Sequence, residues 1–348
     1  TFSKVKNEHV FQMDVETAQN GAANAITFTH ETDATSTTTH SLTLNVIDSV
    51  TTGTDNLLDT HGFVFTDFNT VNIDVGAETI NFDADSTGAD VDKYVITGSG
   101  TIDFNTLNFQ GNSATSAPVT ELDASGMTGT VTGLNLNADA HITEIVKTGG
   151  GADTITIDAA AVSGNAFSIS TGAKSDTVTY GTGTTAAFSF DGGTGTDNLA
   201  LEHDASLPAT ASLTSVERIQ IIGDGTGGGN DGTVTASWIS GKTFIIDQTA
   251  HATHHYNLNV TMDQVALDVS NLTFTSDSDD AGDTLTINGG SVGLPTTIVG
   301  SAIDDIITGS AGADTITGGE GVDTIRGEDG ADIITLTETT AAADIVIL

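Results

Sequence analysis

From Gly300 to Thr335 the chain reads GSAIDDIIT, GSAGADTIT, GGEGVDTIR, GEDGADIIT: four nine-residue words without a slip in register. Gly300, Gly309, Gly318 and Gly327 hold position one, and Gly312, Gly321 and Gly330 hold position four, where the first word has Ile303. Position two varies, with Ser310, Gly319 and Glu328 in the later words. Asp305, Asp314, Asp323 and Asp332 hold position six; Ile307, Ile316, Ile325 and Ile334 hold position eight. A word repeated at a fixed short period marks a chain built by stacking identical units. The triplet around position eight reads as a short strand whose Ile faces a core. Two words make one coil of a right-handed β-roll, so Asp305 should stack over Asp323 on one edge and Asp314 over Asp332 on the other.

The same word recurs upstream in weaker form. Gly192-Gly193-Thr194-Gly195-Thr196-Asp197-Asn198-Leu199 is a complete copy, and Gly149-Gly150-Gly151-Ala152-Asp153-Thr154-Ile155 is nearly one. Ala281 to Leu285, Lys174 to Val178 and Gly53 to Leu57 are remnants. Longer coils should lie between these copies.

The word has the chemistry of a calcium loop. Calcium takes 6–8 oxygen ligands at about 2.3–2.6 Å. Glycines let the backbone turn its carbonyls inward, and the position-six Asp adds a carboxylate. An ion between stacked loops would draw ligands from two coils, so four words give about two complete sites. The expected metal residues are therefore the glycines at positions one and four and the aspartates at position six of the four words, with Gly192, Gly195, Asp197, Gly151 and Asp153 upstream. Two other acidic stretches, Asp277 to Asp283 and Asp83 to Gly88, resemble half an EF-hand loop, but Asn288 and Tyr94 stand where the twelfth-position Glu belongs.

The whole chain fits a cation-dependent fold. Its 348 residues carry 47 Asp+Glu against 8 Lys+Arg, a net charge of −39, and no Cys. Such a charge repels nucleic-acid phosphates and an anionic membrane surface. No apolar run approaches the roughly 20 residues of a membrane-spanning helix. Without Cys there is no disulfide framework or thiolate metal site.

Short alternating segments predict strands throughout, among them Ser41 to Val46, Val71 to Val75, Thr79 to Phe82, Thr154 to Ile157, Thr177 to Tyr180, Phe188 to Phe190 and Thr284 to Ile287. Trp238 lies in a stretch that could form one helical turn, with core filling as its role. The expected class is all-β: a β-roll over 299–338, an irregular parallel β-helix with degenerate turns over 140–298, and a further β-rich domain over 1–139, either a sandwich or an extension of the helix. Residues 339–348 read as a strand cut off in mid-domain.

Catalytic words are missing or misplaced. His30-Glu31 does not continue into a zinc-protease motif. Gly289-Gly290-Ser291-Val292-Gly293 fits a nucleophile elbow literally, but such an elbow needs a following helix, and Leu294-Pro295 follows. The His251, His254 and His255 cluster lacks a second ligand group, so surface polarity is the better reading. The chain reads as a non-enzyme.

Gly300 to Thr335 resembles the RTX nonapeptide repeats of type I secreted bacterial proteins. Leu122-Asp123-Ala124-Ser125-Gly126 and Ile145 to Thr156, with the richness in Thr, Gly, Ala and Asp, resemble the repeat-rich regions of RTX surface-layer proteins of the Caulobacter type. The resemblance implies export without a cleaved N-terminal signal, folding outside the cell with calcium, and assembly with further copies into a lattice, sheet or tube. A cell-surface polysaccharide would be met through a region outside this chain, and no nucleic acid or membrane insertion is implied. An RTX adhesin and the noncatalytic C-terminal part of a secreted enzyme are the competing readings.

Overall fold

The computed structural model describes residues 2–5, 10–14, 26–30, 40–47, 63–66, 68–77, 79–81, 87–88, 91–104, 119–136, 142–157, 167–182, 187–208, 210–222, 230–248, 256–275, 284–290, 292–337 and 343–347. Among them the fold is nearly all β, with a single helical turn at Ala236–Ile239. Strands adjacent in a sheet are not adjacent in sequence, and they pair in parallel, as Ser41–Ile47 does with Thr70–Asp74. Parallel neighbours need a crossover. Here the crossovers carry strands of other sheets, which is the winding of a parallel β-helix. The all-β parallel class read from the repeats is the class observed.

The chain divides into two compact units. The first comprises Thr1–Thr179, Ala186–Asp197 and Leu213–Ser215; the second comprises Tyr180–Thr185, Asn198–Ser212 and Val216–Leu348. In the first, one inward row runs Leu42, Val71, Tyr94, Leu122, Val146, Ile169, Phe190, each directly paired with the next. None of the seven is more than 1% exposed. Burying one such side chain stabilises by about 1.5–3 kcal/mol, so the row is the spine of this unit. The sheet passes residue 139 without a break, since Val119–Met127 pairs with Ile142–Lys147. On its outward face Lys93 sits 3.0 Å from both Glu121 and Asp123, and Lys147 is 2.7 Å from Glu121. Two of the chain's scarce cations are spent there.

In the second unit the inward row runs Val234, Val260, Ile287, Ile307, Ile325. A second sheet of the unit stacks Leu267, Ile298, Ile316 and Ile334. Trp238 is buried in the helical turn and stacks on Phe244, with centroids 5.4 Å apart. Helical turn and core filling, both open in the sequence, coexist there.

The coil length varies along the chain. Hydrogen bonds between successive coils span 29 residues from His40 to Asn69, 23 from Asn69 to Asp92, 28 from Asp92 to Thr120, 26 from Ser237 to Asp263, and a constant 18 within the repeats.

Candidate metal centre

The four words fold as their period requires. Their strands are Asp305–Thr308, Thr315–Thr317, Thr324–Arg326 and Ile333–Thr335. Ile307, Ile316 and Ile325 at position eight are fully buried, while Ile306 and Ile333 at position seven are 42% and 62% exposed. The nine-residue spacing thus gives one residue to the core and its neighbour to solvent.

The carboxylates stack in two columns. The Asp305 amide donates to Asp323 Oδ1 at 3.0 Å, and the Asp314 amide donates to Asp332 Oδ1 at 3.0 Å. Each column extends beyond the repeats. The Asp323 amide donates to Asp344 Oδ1 at 3.0 Å, and the Thr296 amide donates to Asp314 Oδ1 at 2.6 Å. Asp344 was read only as part of a terminal strand; its signal was the Asp-x-apolar triplet that survives there without a glycine.

Glycine is required where the turns touch. A Cβ on Gly300 or Gly309 would lie 2.5 Å from Oδ2 of Asp305 or Asp314, five residues on. Gly318 and Gly327 stand in the same relation to Asp323 and Asp332. Gly312 packs on Pro295, and Gly321 and Gly330 adopt φ of 113° and 139°. Glu328 is the exception, a side chain at position two held at φ 70° where Gly319 in the preceding word has 124°. Left-handed backbone costs a non-glycine residue roughly 1–2 kcal/mol. Glu328→Gly is therefore expected to raise stability by about 1 kcal/mol, read as a higher midpoint in urea at fixed calcium. A lowered midpoint would contradict this account of the turn.

The four carboxylates are not equivalent. Asp314 accepts four bonds, from the amide and hydroxyl of both Thr296 and Ser310, at 2.6–2.9 Å. Burial acts to raise its carboxyl, but these donors outweigh burial and hold it below the ordinary carboxylate range. Asp305 takes the Ser301 amide and hydroxyl at 2.7 and 2.9 Å. Burial nevertheless pushes it up to about 8, with Asp323 and Asp304 adding repulsion. Asp323 follows Gly319 and gains no such cap. Its Oδ2 is buried with no hydrogen bond, and burial, with Asp344 and Asp304 nearby, raises it to about 6.

A buried carboxylate oxygen with no donor loses solvation that only a proton or a cation can replace. Every donor atom in these turns is oxygen, which suits a hard cation such as calcium. Among the described residues no three His, Cys, Asp or Glu side chains converge, so carbonyls must complete any ligand set.

The raised groups fix a pH dependence for the metal-free protein. Asp305 and Asp323 hold protons in the folded state that the unfolded chain releases above about pH 4. Their contribution is full below that value and is lost as pH rises through 6 and then 8. Asp314 acts oppositely, and its contribution disappears on acidification below about pH 4. In chelator the melting temperature should fall from pH 5 to 8; in excess calcium, which replaces the protons, it should hold or rise. Parallel curves in the two conditions would contradict the assignment.

Upstream, Asp153, Asp176 and Asp197 are also buried and stacked. Asp176 lies in the Lys174 to Val178 remnant, where Thr171 and Lys174 stand at the word's positions one and four. Lys174 nevertheless adopts the left-handed turn, at φ 79°. The acidic stretch Asp277 to Asp283, most of Asp83 to Gly88, the Gly53 to Leu57 remnant and the His251 to His255 cluster lie outside the described residues. Among the described residues after Gly289, the next element is the strand Thr297–Val299.

Parallel coils whose aspartate turns stack carboxylate on amide define a β-roll within the second unit. Residues 299–334 match a protein-family model, that of the RTX calcium-binding nonapeptide repeat, in four copies. Repeats of this family bind calcium, are in general structural and not catalytic, and typically belong to secreted, extracellular proteins. No curated protein and no solved structure matches the chain.

Proposed function

We propose that this chain is a calcium-dependent structural protein of the bacterial cell surface that assembles with copies of itself into a surface layer. The observation that carries the reading is the pair of stacked aspartate columns, which make the coils' closure conditional on a cation. A net charge of −39 points the same way. Neighbouring copies so charged repel unless divalent ions lie between them.

Negative-stain microscopy of the chain with and without calcium tests the reading. Ordered sheets or tubes that form with calcium and disperse in chelator are expected. A monodisperse monomer at high protein and calcium would overturn it, and would favour an adhesin or the noncatalytic region of a secreted enzyme.

A further inference from the structure

The first unit contains a third aspartate column, outside the matched repeats and on longer coils. The Val131 amide donates to Asp153 Oδ1 at 2.7 Å, the Asp153 amide to Asp176 Oδ1 at 2.7 Å, and the Asp176 amide to Asp197 Oδ1 at 2.9 Å. These steps span 22, 23 and 21 residues, against 18 in the repeats. The hydrogen-bonding mode is nonetheless the same.

Two independent features point to a ligand. Asp153 and Asp176 are each 1% exposed, and the Oδ2 of each accepts no hydrogen bond. The Thr148 and Thr171 hydroxyls, at position one of these two turns, donate onward to the carbonyls of Thr171 and Gly192. No ion pair joins them to a Lys or Arg among the described residues.

The second feature is a cradle that only glycine can line. A Cβ on Gly172 would run into the Gly149 carbonyl, one on Gly193 into the Gly172 carbonyl, and one on Gly195 into the Lys174 carbonyl. Gly151 meets the Gly129 carbonyl in the same way. Gly192 stands 2.6 Å, measured from its missing Cβ, from Asp197 Oδ2, which matches the 2.5 Å of Gly300 to Asp305. Carbonyl oxygens and carboxylates thus crowd one edge of successive coils, the donor set of a hard divalent cation.

We propose that the turns at Gly149–Asp153, Gly172–Asp176 and Gly192–Asp197 form a further calcium column, separate from the two in the nonapeptide repeats. It would staple the first unit as the repeats staple the second. The inference stands without the surface-layer reading, since it concerns binding to a single chain.

Crystals of the full chain grown in calcium and soaked with terbium test it directly. Anomalous peaks are expected beside Asp176 and at least one of Asp153 and Asp197, in addition to peaks beside Asp323. Peaks at the repeats alone would overturn the proposal. In solution, Asp176→Asn should lower the calcium bound in equilibrium dialysis by at least one ion per chain, while Asp323→Asn removes a different ion. An unchanged count in an Asp176→Asn chain with native circular dichroism would also overturn it; if that variant fails to fold, the anomalous map of the unmodified chain decides.

Discussion

In excess chelator the chain should lose most of the β signal of its second unit, and its melting temperature should fall steeply. The size follows from mass action. A ligand bound only by the native state at a hundred times its dissociation constant stabilises by about 2.7 kcal/mol. Two ions held by four words would contribute about 5 kcal/mol, comparable with the 5–15 kcal/mol that separates most folded domains from their unfolded state. The loss is not only of attraction. Asp305 and Asp323 are adjacent in one column, with Asp304 facing both, and burial already penalises their charge. Without a cation, near-neutral pH leaves that penalty unmet. Thermal melts by circular dichroism across a calcium titration check this. A melting temperature independent of calcium would contradict it.

Ile316→Ala should cost about 3 kcal/mol. Ile316 is fully buried and paired with Ile298 on one side and Ile334 on the other. Truncation would leave a cavity that parallel coils on both sides cannot collapse into, and large-to-small core changes of this kind cost about 2–5 kcal/mol. The matched comparison is Ile333→Ala, one position earlier in its word. That side chain is 62% exposed, so its loss should change stability by no more than about 0.5 kcal/mol. Urea unfolding of both variants in calcium is the measurement. Equal effects would mean that the word does not set the inward face.

The repeats were legible because each word uses the same residue at the same step. Period, strand and inward face all follow from Ile307, Ile316 and Ile325 recurring nine residues apart. The longer coils hid their register, because 21 to 23 residues separate Asp153, Asp176 and Asp197 and no fixed period advertises them. Asp176 was missed for a physical reason: its turn needs the left-handed conformation, and Lys174 adopts it in place of glycine at φ 79°. Ser301 and Ser310 were also opaque. As letters they are tolerated variation at position two, whereas in the fold their hydroxyls reach the carboxylates of Asp305 and Asp314 at 2.9 and 2.8 Å. In both turns the hydroxyl takes Oδ1 while the backbone amide of the same serine takes Oδ2.

The claim that a cation closes the coils is tested most directly by hydrogen exchange over residues 299–337, in calcium and in chelator at one pH. The amides of Asp305, Asp314 and Asp323 each donate to a carboxylate one coil later. They should exchange slowly in calcium and approach unprotected rates in chelator. Equal protection in the two conditions would contradict the account.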